Sequence, residues 1–385
     1  MINLSEPFLT NNEIKNIIIC FKKNSLATGN FIQRFEKKIL EFTNSKYACS
    51  CINGTSALHL SLKVLGIKKH EEVIVPTLTF VATINAVIYN DASPIFMDAD
   101  NYYNIDINKT IQFILNETFF KKGYSYNRKT NKKVFAVIVT HVWGNAVKLD
   151  ELFLICKKNN IKIVEDATES LGTKYIAGKF INKHVGTIGD IGCLSFNGNK
   201  IITSAGGGMV ITNNKIYSEK VKYYSNQCKN NNLRYIHNEV GFNYRLSNIQ
   251  AAIGLAQLKN IKKIINLKNT IHNSYKRELL KISGINLVET PYHSYNNKWL
   301  NIIRIDKKNY KISINKLIKI FSKNNVQVRP IWMLNHKQKM FKKYQKYKIS
   351  NANKLLSNSL CLPSSANLSK VQIKKIIKVF NDSRK

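Results

Sequence analysis

IKIVEDATESLG (161–172) and GCLSFNGNK (192–200) are the two stretches that decide the fold. In the first, an apolar run over Ile161–Val164 leads into two carboxylates, and in the second an apolar run precedes Lys200. Short apolar runs bounded by turn residues are typical of buried strands. Because the carboxyl ends of strands in an open α/β sheet border the ligand crevice, we expect Asp166 and Lys200 at one edge of a sheet.

The same alternation of short apolar runs and amphipathic segments extends outward on both sides. Further strands are predicted at Tyr47–Cys51, Glu72–Val75, Ser93–Met97, Phe135–Val139 and Gly208–Thr212. Helices are predicted at Ser56–Leu65, Thr79–Tyr89 and Leu149–Asn159. Strands that alternate with helices indicate an α/β fold with one large sheet.

The C-terminal third has a different pattern. Leu246–Leu267 is predicted to form one long helix that links the large domain to a smaller one. A strand and two helices follow at Lys298–Ile305, Lys311–Asn324 and Ser369–Asn381. We therefore expect a large domain over 1–258, with a polar insertion at 101–133, and a small α+β domain over 259–385.

The composition limits the class of protein. The chain has 385 residues, 44 % of them hydrophobic, which is enough for a large core and unlike a disordered or fibrous chain. The N-terminal segment lacks the basic start and apolar block of a signal peptide, and the nearest apolar run is Ile17–Phe21. No segment approaches the roughly 18 apolar residues of a membrane span. We expect a cytoplasmic protein with no membrane partner.

The net charge of +37 is typical of nucleic-acid binders, but its distribution is not. From Lys259 to the C-terminus the lysines alternate with isoleucine and asparagine instead of forming one basic block. We interpret them as solvated surface charge and predict no nucleic-acid partner. A polyanion-binding protein that has lost its catalytic activity remains an alternative.

Cysteine and histidine spacing argues against a metal site. The seven cysteines are scattered without a CxxC pair, and the eight histidines include no HExxH pair. We predict reduced, buried thiols and no metal.

Lys200 and Asp166 together suit one chemistry. A lysine that forms a Schiff base, paired with a carboxylate that keeps a pyridine nitrogen protonated, is the minimum set for pyridoxal phosphate. The segment NGTS (53–56) supplies a helix N-terminus with hydroxyls for a phosphate, although an ordinary helix cap has the same pattern. Phe80 supplies a ring to lie against the pyridine, although an aromatic at that spacing is also typical of a core.

Seven segments resemble one known family, the DegT/DnrJ-type sugar aminotransferases, which have the pyridoxal phosphate-dependent aspartate aminotransferase fold (fold type I). The matching segments are NGTSALHLSLKVLGI (53–67), EEVIVPTLTFVATINAV (71–87), HVWGNAVKLDEL (141–152), IVEDATESLGTKY (163–175), GTIGDIGCLSFNGNKIITSAGGGMVIT (186–212), GFNYRLSNIQAAIGLAQL (241–258) and VRPIW (328–332). Because they run nearly end to end, the resemblance covers the whole chain.

The resemblance implies roles for individual residues. Lys200 matches the lysine that holds the cofactor, Asp166 matches the pyridinium partner, and Phe80 matches the aromatic residue on the ring. The matches to the phosphate site are Gly54, Thr55, Ser56, Ser195 and, reaching in from the neighbouring subunit of a homodimer, Asn243. The matches to segments that face the nucleotide-sugar in similar enzymes are Arg245, Arg329 and His336.

One position departs from the common pattern. Many members carry glutamine or histidine near the 3-hydroxyl of the cofactor, where this chain has Glu169. The segments EDATESLG, SFNGNK and RPIW resemble the subgroup that aminates C4 of 2-acetamido-4-keto-6-deoxy sugars in legionaminic acid and bacillosamine pathways. The expected function is transfer of an amino group from L-glutamate to a UDP-linked 4-keto sugar in surface polysaccharide biosynthesis, with pyridoxamine phosphate as the intermediate form of the cofactor.

Two other enzyme functions remain. The first is amination of GDP-4-keto-6-deoxymannose, as in perosamine synthesis. The second is a sugar 3-dehydratase, which carries histidine in place of the lysine, so that Lys200 argues against it.

Overall fold

The structure, a computed structural model, describes residues 1–231 and 233–384. The helices are α1 Asn11–Lys22, α2 Asn30–Thr43, α3 Gly54–Leu65, α4 Val81–Ile88, α5 Ile107–Asn116, α6 Asp150–Lys158, α7 Lys215–Ser225, α8 Asn248–Lys259, α9 Ile261–Leu279, α10 Ile314–Lys323, α11 Asn351–Asn358 and α12 Lys370–Asp382. The strands are β1 Tyr47–Cys51, β2 Glu72–Pro76, β3 Ser93–Met97, β4 Thr118–Lys121, β5 Tyr124–Asn127, β6 Val134–Thr140, β7 Lys162–Asp166, β8 Lys174–Tyr175, β9 Ile191–Ser195, β10 Gly208–Thr212, β11 Lys229–Asn231, β12 Ile236–His237, β13 Ile285–Leu287, β14 Ser294–Tyr295, β15 Asn301–Ile305, β16 Arg329–Pro330, β17 Lys346–Tyr347 and β18 Ser359–Leu362.

One mixed sheet of eight strands organises the molecule. Its strand order is β1-β10-β9-β7-β6-β2-β3-β17. The strands from β9 to β17 in this order are parallel to their neighbours, whereas β10 and β1 are antiparallel. All seven strands predicted in the first two thirds of the chain are present in this sheet, so that the predicted α/β class is confirmed.

Both faces of the sheet are covered, which explains the apolar runs in the sequence. All seven residues of Val134–Thr140 are buried. Along β2, Ile74 packs into the core on one face, while Val73 and Val75 pack into the core on the other. Side chains that alternate between two dry cores leave no polar face, as expected of a strand in a parallel sheet.

The strand β7 extends two residues beyond the predicted end at Val164 and includes both carboxylates. Glu165 pairs with Val139 in the sheet, and its side chain accepts hydrogen bonds from the amides of Gly186, Ile188 and Gly189. Because these amides satisfy a buried carboxylate, the strand continues where a polar residue is expected to end it.

The single helix predicted over Leu246–Leu267 is wrong. The chain forms α8 and α9, with the break at Asn260, whose amide donates to the carbonyls of Gln257 and Leu258. Asparagine competes with the helix backbone for hydrogen bonds and favours helix ends. The break also separates two environments, because α8 is buried among α1 and α2 while α9 buries one face.

The C-terminal part forms a second sheet of four antiparallel strands with the order β13-β15-β18-β16. Ile2 lies in the core of this part and pairs with Val326. Conversely, β17 joins the large sheet beside β3. The domain division at 258/259 stays a prediction, and these two crossings connect its two sides.

The segment predicted as an insertion, 101–133, contains α5 and the hairpin of β4 and β5. Asn127 at the end of the hairpin donates to the buried carboxylate of Glu72 at 2.8 Å, which ties the hairpin to the edge of β2.

All seven cysteines are buried free thiols, as predicted. In the described part of the chain, no helix is both long and apolar enough to cross a membrane.

Candidate active site

One cavity of about 370 Å³ brings most of the predicted cofactor residues together. The predicted residues that line it are Gly54, Thr55, Phe80, Asp166, Glu169, Ser195 and Lys200. A larger cavity of about 840 Å³, around Asp100, Asp150 and Tyr292, contains none of the predicted residues. We place the candidate site in the smaller cavity, because the ionisable groups and the helix N-terminus lie there.

Lys200 follows β9 in a turn where its amide donates to the Asn197 carbonyl at 3.0 Å. Its side chain is largely buried, and Nζ lies 3.8 Å from Glu169 Oε1 and 4.2 Å from the ring centre of Trp299. Burial lowers the pKa of Lys200, while the negative charges of Glu169 and Asp166 act in the opposite direction. A lowered pKa increases the fraction of neutral amine, which is the nucleophilic form.

Asp166 is the last residue of β7, and its carboxylate is held from both sides. Thr83 Oγ1 of α4 donates to Oδ2 at 2.7 Å, and Thr168 Oγ1 donates to Oδ1 at 2.7 Å. The carboxylate is buried, with 2 % of the residue exposed. These hydrogen bonds fix the direction of the carboxylate at the cavity wall.

Glu169 lies in the turn after β7 and is also buried. Its Oε2 accepts a hydrogen bond from the backbone amide of Trp143 at 2.8 Å. Burial raises the pKa of Glu169 to about 7, although the charge of Lys200 and the Trp143 amide act to lower it. The site therefore contains a carboxyl group that can gain or lose a proton near neutral pH.

The N-terminus of α3 meets the end of β9 at the floor of the cavity. A Cβ atom at Gly54 would lie 2.9 Å from Ser195 Cβ and 3.2 Å from Thr168 Cγ2, so that a larger residue would push these elements apart. Asn53 caps the helix by accepting the Ser56 amide at 2.8 Å. Ser56 itself is buried and does not line the cavity, whereas Thr55 does. A helix N-terminus with flanking hydroxyls suits an anion such as a phosphate.

Aromatic rings form one side of the cavity. Phe80 is the N-cap of α4, as predicted for a helix start, and 53 % of it is exposed. Its ring lies edge-on to Trp332 with the centres 6.3 Å apart, and Trp332 lies 5.1 Å from Trp143. An exposed phenyl ring in a cavity can pack against a flat heteroaromatic ring.

Four other predicted residues do not line this cavity. Asn243, Arg245 and Arg329 are exposed on the surface. His336 is partly buried, and its Nδ1 lies 2.6 Å from Thr77 Oγ1. Burial lowers the pKa of His336 to about 4, so that the ring is neutral at neutral pH. The roles predicted for these four residues remain predictions.

Sequence reasoning missed several residues that line the cavity or hold its ionisable groups. Among them are Thr83, Thr168, Asn199, Trp299 and Trp332. Two had local signals, because Thr168 stands two residues after Asp166, where a turn hydroxyl binds back to a carboxylate, and Trp332 lies in the segment RPIW. Trp299 had none, since it is 99 residues from Lys200 and meets it only in the folded chain.

The residues present fit pyridoxal phosphate. The cavity offers a buried amine, a fixed carboxylate, an exposed phenyl ring and a helix N-terminus whose glycine lets it approach Ser195 closely. These correspond to the aldehyde, the pyridine nitrogen, the ring face and the phosphate of that cofactor.

Comparisons with known proteins agree with this fit. Residues 7–381 match the DegT/DnrJ/EryC1/StrS aminotransferase family. GDP-perosamine synthase of Escherichia coli O157:H7 is 34 % identical over 382 residues, which cover 98 % of this chain and 97 % of the relative. The UDP-4-amino-4,6-dideoxy-N-acetyl-beta-L-altrosamine transaminase of Campylobacter jejuni strain 81-176 is 32 % identical over 284 residues, which cover 73 % of this chain and 70 % of the relative.

Solved structures share the fold. Helicobacter pylori PseC, an aminotransferase involved in the biosynthesis of pseudoaminic acid, superposes with a TM-score of 0.87 at 22 % identity. The match covers 99 % of this chain and 98 % of PseC. The predicted fold type I architecture is confirmed.

Proposed function

Because the chain belongs to the DegT/DnrJ/EryC1/StrS aminotransferase family of sugar aminotransferases, we propose that it transfers an amino group from L-glutamate to a nucleotide-linked 4-keto-6-deoxy sugar, at C4. Pyridoxal phosphate is the proposed cofactor. The observation that carries the proposal is the buried amine of Lys200 in one cavity with the fixed carboxylate of Asp166. The proposal includes the cytoplasmic location and the role in surface polysaccharide biosynthesis that the sequence predicts.

Each residue of the cavity has a proposed role. With the cofactor bound, Lys200 would hold it covalently and would move a proton once its amine is free, and Asp166 would keep the pyridine nitrogen protonated. Thr55, Ser195 and the N-terminus of α3 hold the phosphate. When bound, the cofactor withdraws electrons from the reacting carbon. Rings such as Trp332 limit the entry of water into the cavity.

For the sugar, we propose UDP-2-acetamido-2,6-dideoxy-4-keto-hexose first. The support is the subgroup resemblance of EDATESLG, SFNGNK and RPIW, together with the similarity to the Campylobacter transaminase. A specific observation favours a second candidate, GDP-4-keto-6-deoxymannose, because the similarity to GDP-perosamine synthase covers 98 % of this chain. Arg245 and Arg329 are proposed to contact the diphosphate.

The working unit is proposed to be a homodimer, in which Asn243 reaches the phosphate in the partner. Asn243 is exposed and does not line the cavity of its own chain. Just before it in the chain, Leu233 and Val240 expose 87 % and 86 % of their surface. Large exposed apolar side chains in one segment favour contact with another protein surface.

Borohydride reduction tests the cofactor assignment. We expect reduction of the yellow protein to fix pyridoxal phosphate on Lys200 alone, because among the described residues this is the one lysine that lines the candidate cavity with Asp166. Peptide mapping by mass spectrometry identifies the labelled lysine, and Lys200→Ala, which lacks this amine, is the control. A label on any other lysine contradicts the assignment. A colourless protein whose absorbance does not change when glutamate is added favours the polyanion-binding alternative.

The substrate is tested with both sugars. Incubation with L-glutamate and the UDP-linked or the GDP-linked 4-keto sugar should yield a 4-amino sugar, and NMR locates the new nitrogen. Amination at C3 contradicts the proposed position, while turnover of the GDP-linked sugar alone selects the second candidate.

A further inference from the structure

The amine of Lys200 lies between two groups that favour its charged form. Glu169 Oε1 is 3.8 Å from Nζ on one side, and the ring of Trp299 is centred 4.2 Å away. An aromatic face and a carboxylate both attract an ammonium group. These contacts therefore stabilise the ammonium form of Lys200. That form is available only when the cofactor is not attached to the amine.

Trp299 is fixed in this position by contacts at both ends of the residue. Its indole Nε1 donates to the carbonyl of Asn199 at 2.6 Å, directly before Lys200 in the chain. Its own carbonyl accepts a hydrogen bond from the buried amine of Lys268 at 3.1 Å. The ring is thus a rigid wall on one side of the Lys200 amine.

Glu169 is oriented so that one carboxylate oxygen accepts a backbone hydrogen bond and the other lies near the Lys200 amine. Oε2 accepts the Trp143 amide at 2.8 Å, and Trp143 adopts a positive φ of 51° to present it. The main-chain carbonyl of Glu169 accepts a hydrogen bond from Asn297 at 2.9 Å. A strained backbone residue that positions a buried carboxylate is typical of a functional site.

The carboxylate oxygens of Asp166 accept more hydrogen bonds than those of Glu169. Hydroxyl groups of Thr83 and Thr168 donate to both oxygens of Asp166. On Glu169, the backbone amide of Trp143 donates to Oε2. Of these two carboxylates, Glu169 is the one with an oxygen within 4.0 Å of Lys200 Nζ.

The charges around the pair are few. Lys200 faces the carboxylates of Glu169 and Asp166, and Glu169 faces Lys200, Asp166 and the thiol of Cys361. Burial raises the pKa of Glu169 to about 7 and lowers the pKa of Lys200. The two groups are thus brought closer in proton affinity than in water.

We propose that Glu169 accepts the proton of the free Lys200 ammonium and returns it, which deepens the proposed function and rests on it. An Nζ–H bond breaks and an Oε1–H bond forms, so that ammonium and carboxylate become amine and carboxylic acid without any change of oxidation state. The separation of 3.8 Å has to shorten by about 1 Å for direct transfer. Glu169 thereby sets how much of Lys200 is neutral at the pH where the enzyme works.

The test measures Lys200 in the protein without cofactor. Acetic anhydride acylates a lysine amine only in its neutral form, so that the extent of Lys200 labelling against pH, measured by mass spectrometry of its peptide, reports the ionisation of Lys200. In Glu169→Gln, which keeps an acceptor oxygen for Trp143, the midpoint should fall by roughly 1 to 2 pH units, because the negative charge that favours the ammonium is lost. The Glu169→Asp variant keeps a carboxylate and should shift the midpoint less.

A matched control is Asp100→Asn. Burial raises the pKa of Asp100 to about 7 as well, but this residue lines the other cavity. Its replacement should leave the Lys200 midpoint unchanged. If Glu169→Gln folds, as judged by circular dichroism, and leaves the midpoint where it is in the wild type, the proposal is overturned. If it does not fold, Glu169→Ala, which also lacks the carboxylate, is measured in the same way, and an unshifted midpoint there overturns the proposal.

Kinetics separate a proton-transfer role from a structural one. In Glu169→Gln, kcat with glutamate should fall about tenfold or more with KM nearly unchanged, and the pH–rate profile should lose the limb that Glu169 contributes. Equal pH profiles in the variant and the wild type count against proton exchange. The borohydride label is independent of these results, so that a label on another lysine contradicts the proposed function while the Lys200 midpoints still report on the pair.

Discussion

At the scale of the residue, the sequence predicts those site residues that come at or soon after the end of a strand. Asp166 and Lys200 each follow an apolar run, and parallel strands place the ends of such runs at one sheet edge. The partners that hold these groups were not predictable, because contacts such as Trp299 on Lys200 join positions far apart in sequence. Neither local periodicity nor spacing encodes such a contact.

Asp166→Asn should bind the cofactor but lose most of its turnover. The amide keeps the size of the carboxylate and remains between Thr83 and Thr168, so that the cavity keeps its shape. It carries no negative charge to hold a proton on the pyridine nitrogen, and we expect kcat to fall by about 10² to 10⁴. Steady-state kinetics and the absorbance of bound cofactor measure the two effects separately.

Thr83→Val is the control for this prediction. It removes one hydroxyl from Asp166 without changing the charge of the carboxylate, and its effect on kcat should be much smaller. A kcat for Asp166→Asn within about threefold of the wild type would remove Asp166 from the proposed mechanism.

At the scale of the element, the strands were predicted better than the helix ends. Both faces of the sheet are covered, so that a central strand such as Val134–Thr140 gives a nearly uninterrupted apolar run. The break at Asn260 was missed because both helices continue the same apolar rhythm, and only the packing of α8 among α1 and α2 shows where the first must stop. Glu165 was missed as a strand residue because its partners, the amides after Val185, lie in a distant loop.

The contact between α2 and α8 makes a stability prediction. Gly254 lies against Phe35, and a Cβ atom there would be 2.7 Å from the ring. Because the phenyl ring is fully buried and cannot move away, Gly254→Ala should lose about 1–3 kcal/mol to overpacking, more than the roughly 1 kcal/mol gained in helix propensity. Urea unfolding measures the difference.

Gly198→Ala is the matched control, since a Cβ atom there meets nothing within 4 Å. It should change the free energy of unfolding by less than about 0.5 kcal/mol. Combining Gly254→Ala with Phe35→Leu should destabilise the protein less than the sum of the two single changes. If the effects add, the steric explanation is wrong.

At the scale of the whole molecule, a high positive charge can be explained without a dedicated polyanion-binding site. The chain carries 60 basic and 23 acidic side chains, and a nucleotide diphosphate sugar is an anion. A positive field increases the rate at which such a substrate meets the protein, and the effect weakens as salt is added. Whether two chains assemble is harder to predict from the sequence, because Asn243, which is proposed to complete a shared site, does not line the cavity of its own chain.

Mixed dimers test whether the site is shared between two subunits. Asn243 is exposed and outside the cavity that contains Lys200 in the same chain. If it serves the partner, a dimer of one Lys200→Ala and one Asn243→Ala subunit has one site with both defects and one site with neither. Random exchange of equal amounts should then restore roughly a quarter of wild-type activity, because half of the dimers are mixed and each has one intact site.

The control is a chain that carries both substitutions, mixed in the same way with either single variant. When the second chain is Lys200→Ala, no site has Lys200, and when it is Asn243→Ala, no site has Asn243, so that no activity should return in either mixture. Activity is measured after subunit exchange has been shown by native mass spectrometry. If exchange is complete and the mixed single variants remain as inactive as their parents, Asn243 acts within its own chain or not at all, and the shared site has to be abandoned.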